Sequence, residues 1–403
     1  MNNLETTALQ RAQQAVAAEN PNLPLPLRFE VTPPDIIQRL LLVTDLTMST
    51  APGTDRNIIG RVYDQVLYQL EQSNFENITI VRGDAVVSAE DNFDKLLFSP
   101  GNPGRSSTYT RYTDPDHILR THTTALIPDT FKNLDTTNLD KQTFILPGLV
   151  YRRDVIDPRH LDVFHQIDVW TLQSVEKHDK TTRADLLKLA QAVFQAACPD
   201  AEMIVLEAVH PYTVDGIEVY AQVGDKQIEV FEAGLIHPQV LRNAGVDPER
   251  FSGLALGMGV ERLIMARKNL PDIRLIRSTD PRIIKQMTNM EPFKSVSDQP
   301  AMSRDISYCV DKNYSEEDIC EKIRDAFGEH ADLLEEVTII GRTHYNDMPE
   351  IARVKLGAHP DQDNVLVRII LRHPDKTLTK SEANVLYTDA YPKLHEGSTV
   401  GYA

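Results

Sequence analysis

This 403-residue sequence predicts a mixed α/β domain built on an antiparallel sheet and followed by a smaller α+β domain. Three observations predict it. Strand-like runs at Met203–Val209, Ile217–Val223 and Gln227–Phe231 succeed one another with Asp/Gly turn signals between them. Apolar residues at helical spacing flank them in Asp55–Ser73 and Thr181–Ala197. After an irregular stretch at Met290–Pro300, a new series of strands and helices begins. The length exceeds the usual single-domain range, and a 41% hydrophobic content supplies core for two domains.

In chain order, residues 1–52 read as an N-terminal extension, with a short helix at Glu5–Ala18 and a Pro-rich stretch at Asn20–Pro34. Residues 53–290 form the first domain. Its Asp55–Ser73 helix docks Ile58, Ile59, Val62, Val66, Leu67 and Leu70 on the sheet, and Thr181–Ala197 offers Leu186, Leu187, Leu189, Ala190, Val193 and Phe194. Residues 291–403 form the second, with strand Ser303–Val310, helix Ser315–Ala326, strands Glu335–Gly341 and Asn364–Arg372, and helix Thr379–Leu394. That βαββα order, with a last strand at the terminus, points to a ferredoxin-like domain.

Cys198, Cys309 and Cys320 show neither disulfide nor metal spacing, which suits a reducing compartment. The N-terminus lacks an apolar signal core and no run approaches the length of a membrane span. A soluble cytoplasmic protein without a membrane partner is expected. The formal net charge is −17, and residues 291–403 carry 13 Lys plus Arg against 21 Asp plus Glu. Charge therefore gives no support for a nucleic-acid partner.

Two chemically dense islands stand out. Gly253-Leu254-Ala255-Leu256-Gly257-Met258-Gly259-Val260-Glu261-Arg262 reads as a strand-to-helix turn where a backbone can approach a ligand closely, with Leu263, Ile264 and Met265 opening a buried helix. Arg262 at that junction suits a polyphosphate. The second island, Tyr151-Arg152-Arg153-Asp154 through Arg159-His160, is a loop between strands that continues into Val163-Phe164-His165-Gln166-Ile167-Asp168-Val169. Together they offer several cations to one anion.

These residues resemble the class II aminoacyl-tRNA synthetases, and within them the catalytic chain of phenylalanyl-tRNA synthetase. Tyr151-Arg152-Arg153-Asp154 with Phe164-His165-Gln166 is similar to the second family signature, and Gly257-Met258-Gly259-Val260-Glu261-Arg262-Leu263 to the third. Asn92-Phe93-Asp94, Leu119-Arg120-Thr121-His122-Thr123, Ala233-Gly234-Leu235-Ile236-His237-Pro238 and Pro271-Asp272-Ile273-Arg274 also fit, in family order over roughly 90–285. Pro300-Ala301, Arg304-Asp305-Ile306 and Thr377-Leu378-Thr379 resemble a ferredoxin-fold anticodon-binding domain, as in the single-chain organellar form. The resemblance implies the class II synthetase fold, ATP, Mg²⁺, an amino acid and tRNA. The first family signature lacks its His-Pro-Leu here, so homodimer and monomer both stay open.

The resemblance also implies site residues. Arg152 would meet the α-phosphate and the amino-acid carboxylate, Arg262 the γ-phosphate and His160 the outer phosphates; both arginines are the catalytic candidates. Phe164 would stack on adenine near Leu263, Gly259 would leave room for the nucleotide, and Asp154 and Glu261 complete the ATP set. Amino-acid contacts fall to His122, Thr124, Gln166, Asp168, His210, Tyr212, Ala233 and Ala255. Glu229 is either a Mg²⁺ ligand or an ordinary exposed strand carboxylate.

Several positions depart from the family. His210-Pro211-Tyr212 stands for Phe-Pro-Phe, Leu254 and Leu256 stand for two phenylalanines, Ile127 replaces a glutamine, and Asp168 is one methylene shorter than the usual Glu. Leucines repack readily, whereas His210 and Tyr212 carry polar groups that need partners. Three readings follow: a phenylalanine-tRNA ligase, a related ATP-dependent ligase for another amino acid or acceptor, and a non-catalytic tRNA-binding protein.

Overall fold

The computed structural model describes residues 27–48, 55–224, 226–295, 299–373 and 376–399. The expected Glu5–Ala18 helix and a strand at the extreme C-terminus lie outside the described residues. The chain divides into two units. Of the described residues, the first unit holds those up to 152, those in 163–269 and those in 287–292, and the second holds those in 153–162, in 270–286 and from 293 onward. A single boundary near residue 290 thus does not describe the division, because the second unit also takes up the 153–162 loop and the 270–286 segment.

In the first unit, a seven-stranded sheet has the order β1-β4-β5-β9-β8-β7-β6. Its strands are β1 (Ile78–Ile80), β4 (Lys141–Tyr151), β5 (Val163–Ser174), β6 (Glu202–Glu207), β7 (Thr213–Val223), β8 (Lys226–Ile236) and β9 (Phe251–Gly259). A separate ribbon joins β2 (Val86–Ser88) to β3 (His117–Leu119). All pairings in the large sheet are antiparallel except β1 with β4. Three helices, α1 (Ile58–Gln72), α2 (Arg183–Ala197) and α3 (Val260–Lys268), pack with one another and against β5 and β8.

Local chemistry sets the helix starts. Asn57 accepts a hydrogen bond from the Ile59 amide, and Thr182 forms a reciprocal capping box with Asp185. The glycine-rich run corrects expectation: it is not a turn but strand β9, and the helix begins only at Val260. Packing explains part of its composition. A Cβ on Gly253 would lie 1.9 Å from the Thr171 carbonyl oxygen of the neighbouring strand, so no side chain fits there.

The second unit contains a three-stranded antiparallel sheet in the order β10-β12-β11, from β10 (Met302–Asp311), β11 (Leu334–His344) and β12 (Gln362–Leu371). Helices α4 (Glu316–Phe327) and α6 (Lys380–Leu394) start on capping boxes from Ser315 with Asp318 and Thr379 with Glu382. The short α5 (Glu350–Leu356) falls between the last two strands and had no sequence signal. Ile156 from the 153–162 loop is buried in this core beside Tyr308, Ile323 and Val367, and its carbonyl accepts from the Val337 amide. The loop is further fixed by an Arg153–Asp318 ion pair at 3.3 Å and by Arg324 donating to the Asp154 carbonyl.

Candidate active site

Alternation along the strands lays out the site. Phe164, Gln166, Asp168 and Trp170 share one face of β5, and Ala255, Gly257 and Gly259 share that face of β9. Pairing aligns them in rows: Trp170 opposite Ala255, Asp168 opposite Gly257, Gln166 opposite Gly259. β8 extends two rows, with Gly234 beside Ala255 and Glu232 beside Gly257. Rows lie about 7 Å apart along the strands. The sheet therefore presents an aromatic row, then a carboxylate row, then an open row.

Over these rows lies a cavity of about 400 Å³, bordered among others by Phe93, Phe98, His122, Thr124, Arg152, Gln166, Asp168, Tyr212, Glu232 and Gly257. That volume suits a small ligand. Its aromatic end is built by Tyr212, stacked 6.0 Å from Trp170 and 6.3 Å from the Phe98 centroid, and by His122, stacked on Phe98 at 5.5 Å. Asn92 pins the His122 segment: its side-chain amide donates to the Thr121 hydroxyl, and its side-chain carbonyl accepts from the Thr121 amide. Burial, with Arg152 close by, pushes the His122 pKa down to about 3, so the ring is neutral.

Asp168 is only 1% exposed. Its Oδ2 accepts from the Thr124 hydroxyl, while Oδ1 has no well-formed hydrogen bond among the described residues. Burial pushes its pKa up to about 7, against the opposing pull of Thr124. A buried carboxylate held at this cost with one oxygen incompletely bonded is suited to receive a cation. Gln166 Oε1 accepts from the Thr123 amide at 3.1 Å. Across the cavity, Arg152 donates from Nε to the Thr121 carbonyl at 2.8 Å, and its guanidinium lies 5.2 Å from the Phe164 ring centroid. Arg152 thus covers one face of Phe164, so a base would stack on the other.

The open row leads to α3. Gly259 is its N-cap residue and gives no side-chain cap, leaving the first amides of the helix free of one. At Gly259 φ is −81°, which any residue adopts, and an added Cβ would meet nothing within 4 Å. Neither backbone nor packing requires glycine there, and the residue borders open space. Gly259→Ala is expected to leave thermal stability within about 2 °C of the parent, the effect of a minor cap change. It should raise KM for ATP about tenfold or more by obstructing the nucleotide, as pyrophosphate-exchange kinetics would show.

Arg262 is exposed, and its charge acts on Glu229. A bulge at Val230 places Glu229 opposite Tyr220, so Glu229 joins Glu232 and Glu218 on one face. Burial, then the neighbouring Glu232, raises the Glu229 pKa, a local excess of negative charge that a cation would relieve. Among the described residues no group of three His, Cys, Asp or Glu forms a complete metal site. Any Mg²⁺ at Glu229 would take its other ligands from phosphate and water.

Other expected site residues fall elsewhere. Glu261 is 2% exposed and turned into the protein, where its two oxygens accept from the His165 amide at 2.9 Å and Oε1 from His165 Nδ1 at 2.6 Å. The His165 Nε2 accepts from the Leu46 amide. Glu261 therefore ties α3 to β5 and does not face the open row. Glu261→Gln would set an amide donor against two donors, and an unfolding free energy lower by about 2–4 kcal/mol is expected in urea titration.

Leu263 is fully buried and likewise out of reach of a base. Ala233 pairs with Leu256, on the face opposite the cavity, while Ala255 is sealed beneath Trp170 and Tyr212. His210 stacks on Tyr212 and places Nε2 2.9 Å from Glu232 Oε2, an ion-pair contact without well-formed hydrogen-bond geometry. Leu254 and Leu256 also occupy the helix-covered face, and Ile127 is buried with Phe131 and Trp170. None of His210, Leu254, Leu256 and Ile127 borders the cavity. Asp154 and His160 belong to the second unit, where Asp154 accepts from the Val155 amide and His160 Nδ1 lies 2.8 Å from Asp157.

Sequence reading missed Phe98 and Glu232 on the cavity wall. Phe98 had no signal, and Glu232 needed the register of β8 against β9 to be found.

An antiparallel sheet carrying an amino-acid-sized charged cavity beside an uncapped helix start is the arrangement of an ATP-dependent activating enzyme. Residues 44–287 match the tRNA synthetases class II core domain (F) family, and the chain belongs to that family. The chloroplastic/mitochondrial phenylalanine–tRNA ligase of Arabidopsis thaliana is 29% identical over 344 residues, 82% of this chain and 75% of that protein. The phenylalanine–tRNA ligase alpha subunit of Prochlorococcus marinus is 34% identical over 195 residues, 48% of this chain and 56% of the subunit. The chain thus spans just over half of that bacterial subunit. A solved pyrrolysyl tRNA synthetase from Desulfitobacterium hafniense covers 60% of this chain and 77% of its own at TM-score 0.42 and 17% identity.

Proposed function

We propose that this chain is a phenylalanine-tRNA ligase that joins phenylalanine to ATP as an adenylate and passes the acyl group to tRNA. One observation carries the choice of substrate. The cavity pairs a buried, incompletely bonded Asp168 and the Arg152 cation with an aromatic wall of Phe98 and Tyr212. Those are the complements of an ammonium, a carboxylate and an aromatic ring. In activation, a carboxylate oxygen of the amino acid attacks the α-phosphorus and pyrophosphate leaves; a terminal ribose hydroxyl then attacks the carbonyl and AMP leaves. Arg152 would steady charge on the carboxylate and α-phosphoryl oxygens, and Arg262 the departing pyrophosphate. Mg²⁺ bound at Glu229 and the phosphates would supply further neutralisation.

ATP–pyrophosphate exchange with each of the standard amino acids tests this. Phenylalanine is expected to stimulate exchange most. Stimulation by a different amino acid would favour the related-ligase reading, which the polar His210–Glu232 pair at the wall motivates. We also read the second unit as a ferredoxin-fold anticodon-binding domain on the same polypeptide, as in the organellar single-chain enzymes. The β10-β12-β11 order with two capped helices supports this. Three buried free thiols suit a reducing compartment such as the cytoplasm.

A further inference from the structure

We propose that Glu232, held in place by His210, is a second ligand of the substrate's ammonium group, which sits above Gly257 between Glu232 and Asp168. This rests on the amino-acid-activating reading of the cavity. Asp168, Gly257 and Glu232 occupy one cross-strand row on β5, β9 and β8. Asp168 and Glu232 are two strands apart, with Cα atoms separated by about 10 Å, and share the sheet face of the intervening glycine. A Cβ on Gly257 would come within 3.3 Å of Asp168 Oδ1, so the missing side chain keeps the space between the carboxylates open.

Both carboxylates border the cavity. Asp168 Oδ1, almost fully buried, lacks a well-formed partner, and Glu232 has a 42% exposed side chain with only Oε2 engaged by His210. His210 is in turn fixed by stacking on Tyr212. Two carboxylates on one row repel unless a cation lies between them. Asp168 shows that strain, since burial, with Glu232 among its charged neighbours, raises its pKa. The row also decides which part of the substrate Glu232 meets. The aromatic ring belongs at the cavity's Phe98–Tyr212 end, on the side of the Trp170 row.

Two probes separate the ammonium from the rest of the ligand: phenylalaninol, which keeps the ammonium, and 3-phenylpropanoate, which lacks it. Trp170 is the single tryptophan and stacks on Tyr212, so its fluorescence reports binding of either. Glu232→Gln in the full chain is expected to weaken phenylalaninol about 10- to 100-fold, the value of a charge-assisted hydrogen bond. Binding of 3-phenylpropanoate should stay equal or tighten. His210→Phe keeps the stacked ring but releases Glu232, and should weaken phenylalaninol by about three- to tenfold with the same selectivity.

Equal loss for both probes, or loss for neither, would overturn the assignment. If Glu232→Gln does not fold, the probe selectivity of His210→Phe decides alone. The ligase reading fails separately: a parent protein that binds phenylalaninol with this selectivity but shows no phenylalanine-dependent exchange retains the ammonium site and loses the proposed activity.

Discussion

Arg152→Ala is expected to abolish measurable phenylalanine-dependent ATP–pyrophosphate exchange, a fall of about 10³-fold or more. Removal of one preorganised donor to a developing oxyanion costs about 10²–10³ in rate. Arg152 carries a full charge, borders the cavity beside Asp168, and is oriented by its bond to the Thr121 carbonyl. Its loss would also uncover the Phe164 ring that it overlies. Arg152→Lys should recover little, because an ammonium lacks the planar fork and cannot lie flat on Phe164 while donating to Thr121. Single-turnover measurement of adenylate formation would place the loss in the chemical step; a change confined to KM would show that Arg152 serves ground-state binding alone.

The second large effect concerns Asp168. Asp168→Asn should weaken phenylalanine binding about 100-fold while making the ligand-free protein more stable above neutral pH. The sign follows from its raised pKa. In the unfolded chain the carboxyl ionises near pH 4, whereas burial holds it protonated in the fold up to about 7. The folded state therefore binds the extra proton between those limits, and stability falls as pH rises through that window, by up to about 4 kcal/mol. Asparagine removes this penalty. The expected readout is a Tm for Asp168→Asn that exceeds the parent's at pH 8 and matches it near pH 4. For binding the sign is opposite. The ammonium needs the ionised form, so phenylalanine affinity in the parent should rise about tenfold between pH 6 and 8 and level off above, whereas Asp168→Asn should show no such rise.

The two predictions share a physical cause. A buried, incompletely bonded carboxylate costs the empty protein free energy that substrate binding recovers, so function and stability pull in opposite directions at one residue.

How much of this was legible in the sequence depends on the distance over which each feature is decided. The helices at Ile58–Gln72, Arg183–Ala197 and Lys380–Leu394 lie within a few residues of their expected bounds, because apolar spacing and Asn or Thr caps act over one or two turns. The strand character of the Gly253–Gly259 run was hidden, since Gly253 answers to the Thr171 backbone of a strand some eighty residues away. The separation of Leu254 and Leu256 from the cavity needed only the two-residue period once the run was known to be a strand.

By itself the sequence determined the family, the chemistry-bearing residue types and their order along the chain. Arg152, Gln166, Asp168 and Arg262 stand in two short islands whose composition is local. Which of those side chains share a cavity was decided only by the tertiary structure. Register across β5, β9 and β8 put Asp168, Gly257 and Glu232 in one row, and the bulge at Val230 brought Glu229 to the same face as Glu232. The same packing turned Glu261 inward to His165 and left Gly259 facing open space. A strand's period fixes only which of its own residues share a face. Their neighbours are fixed by pairing between segments tens of residues apart, and that pairing rests on the burial and hydrogen bonding of the whole sheet.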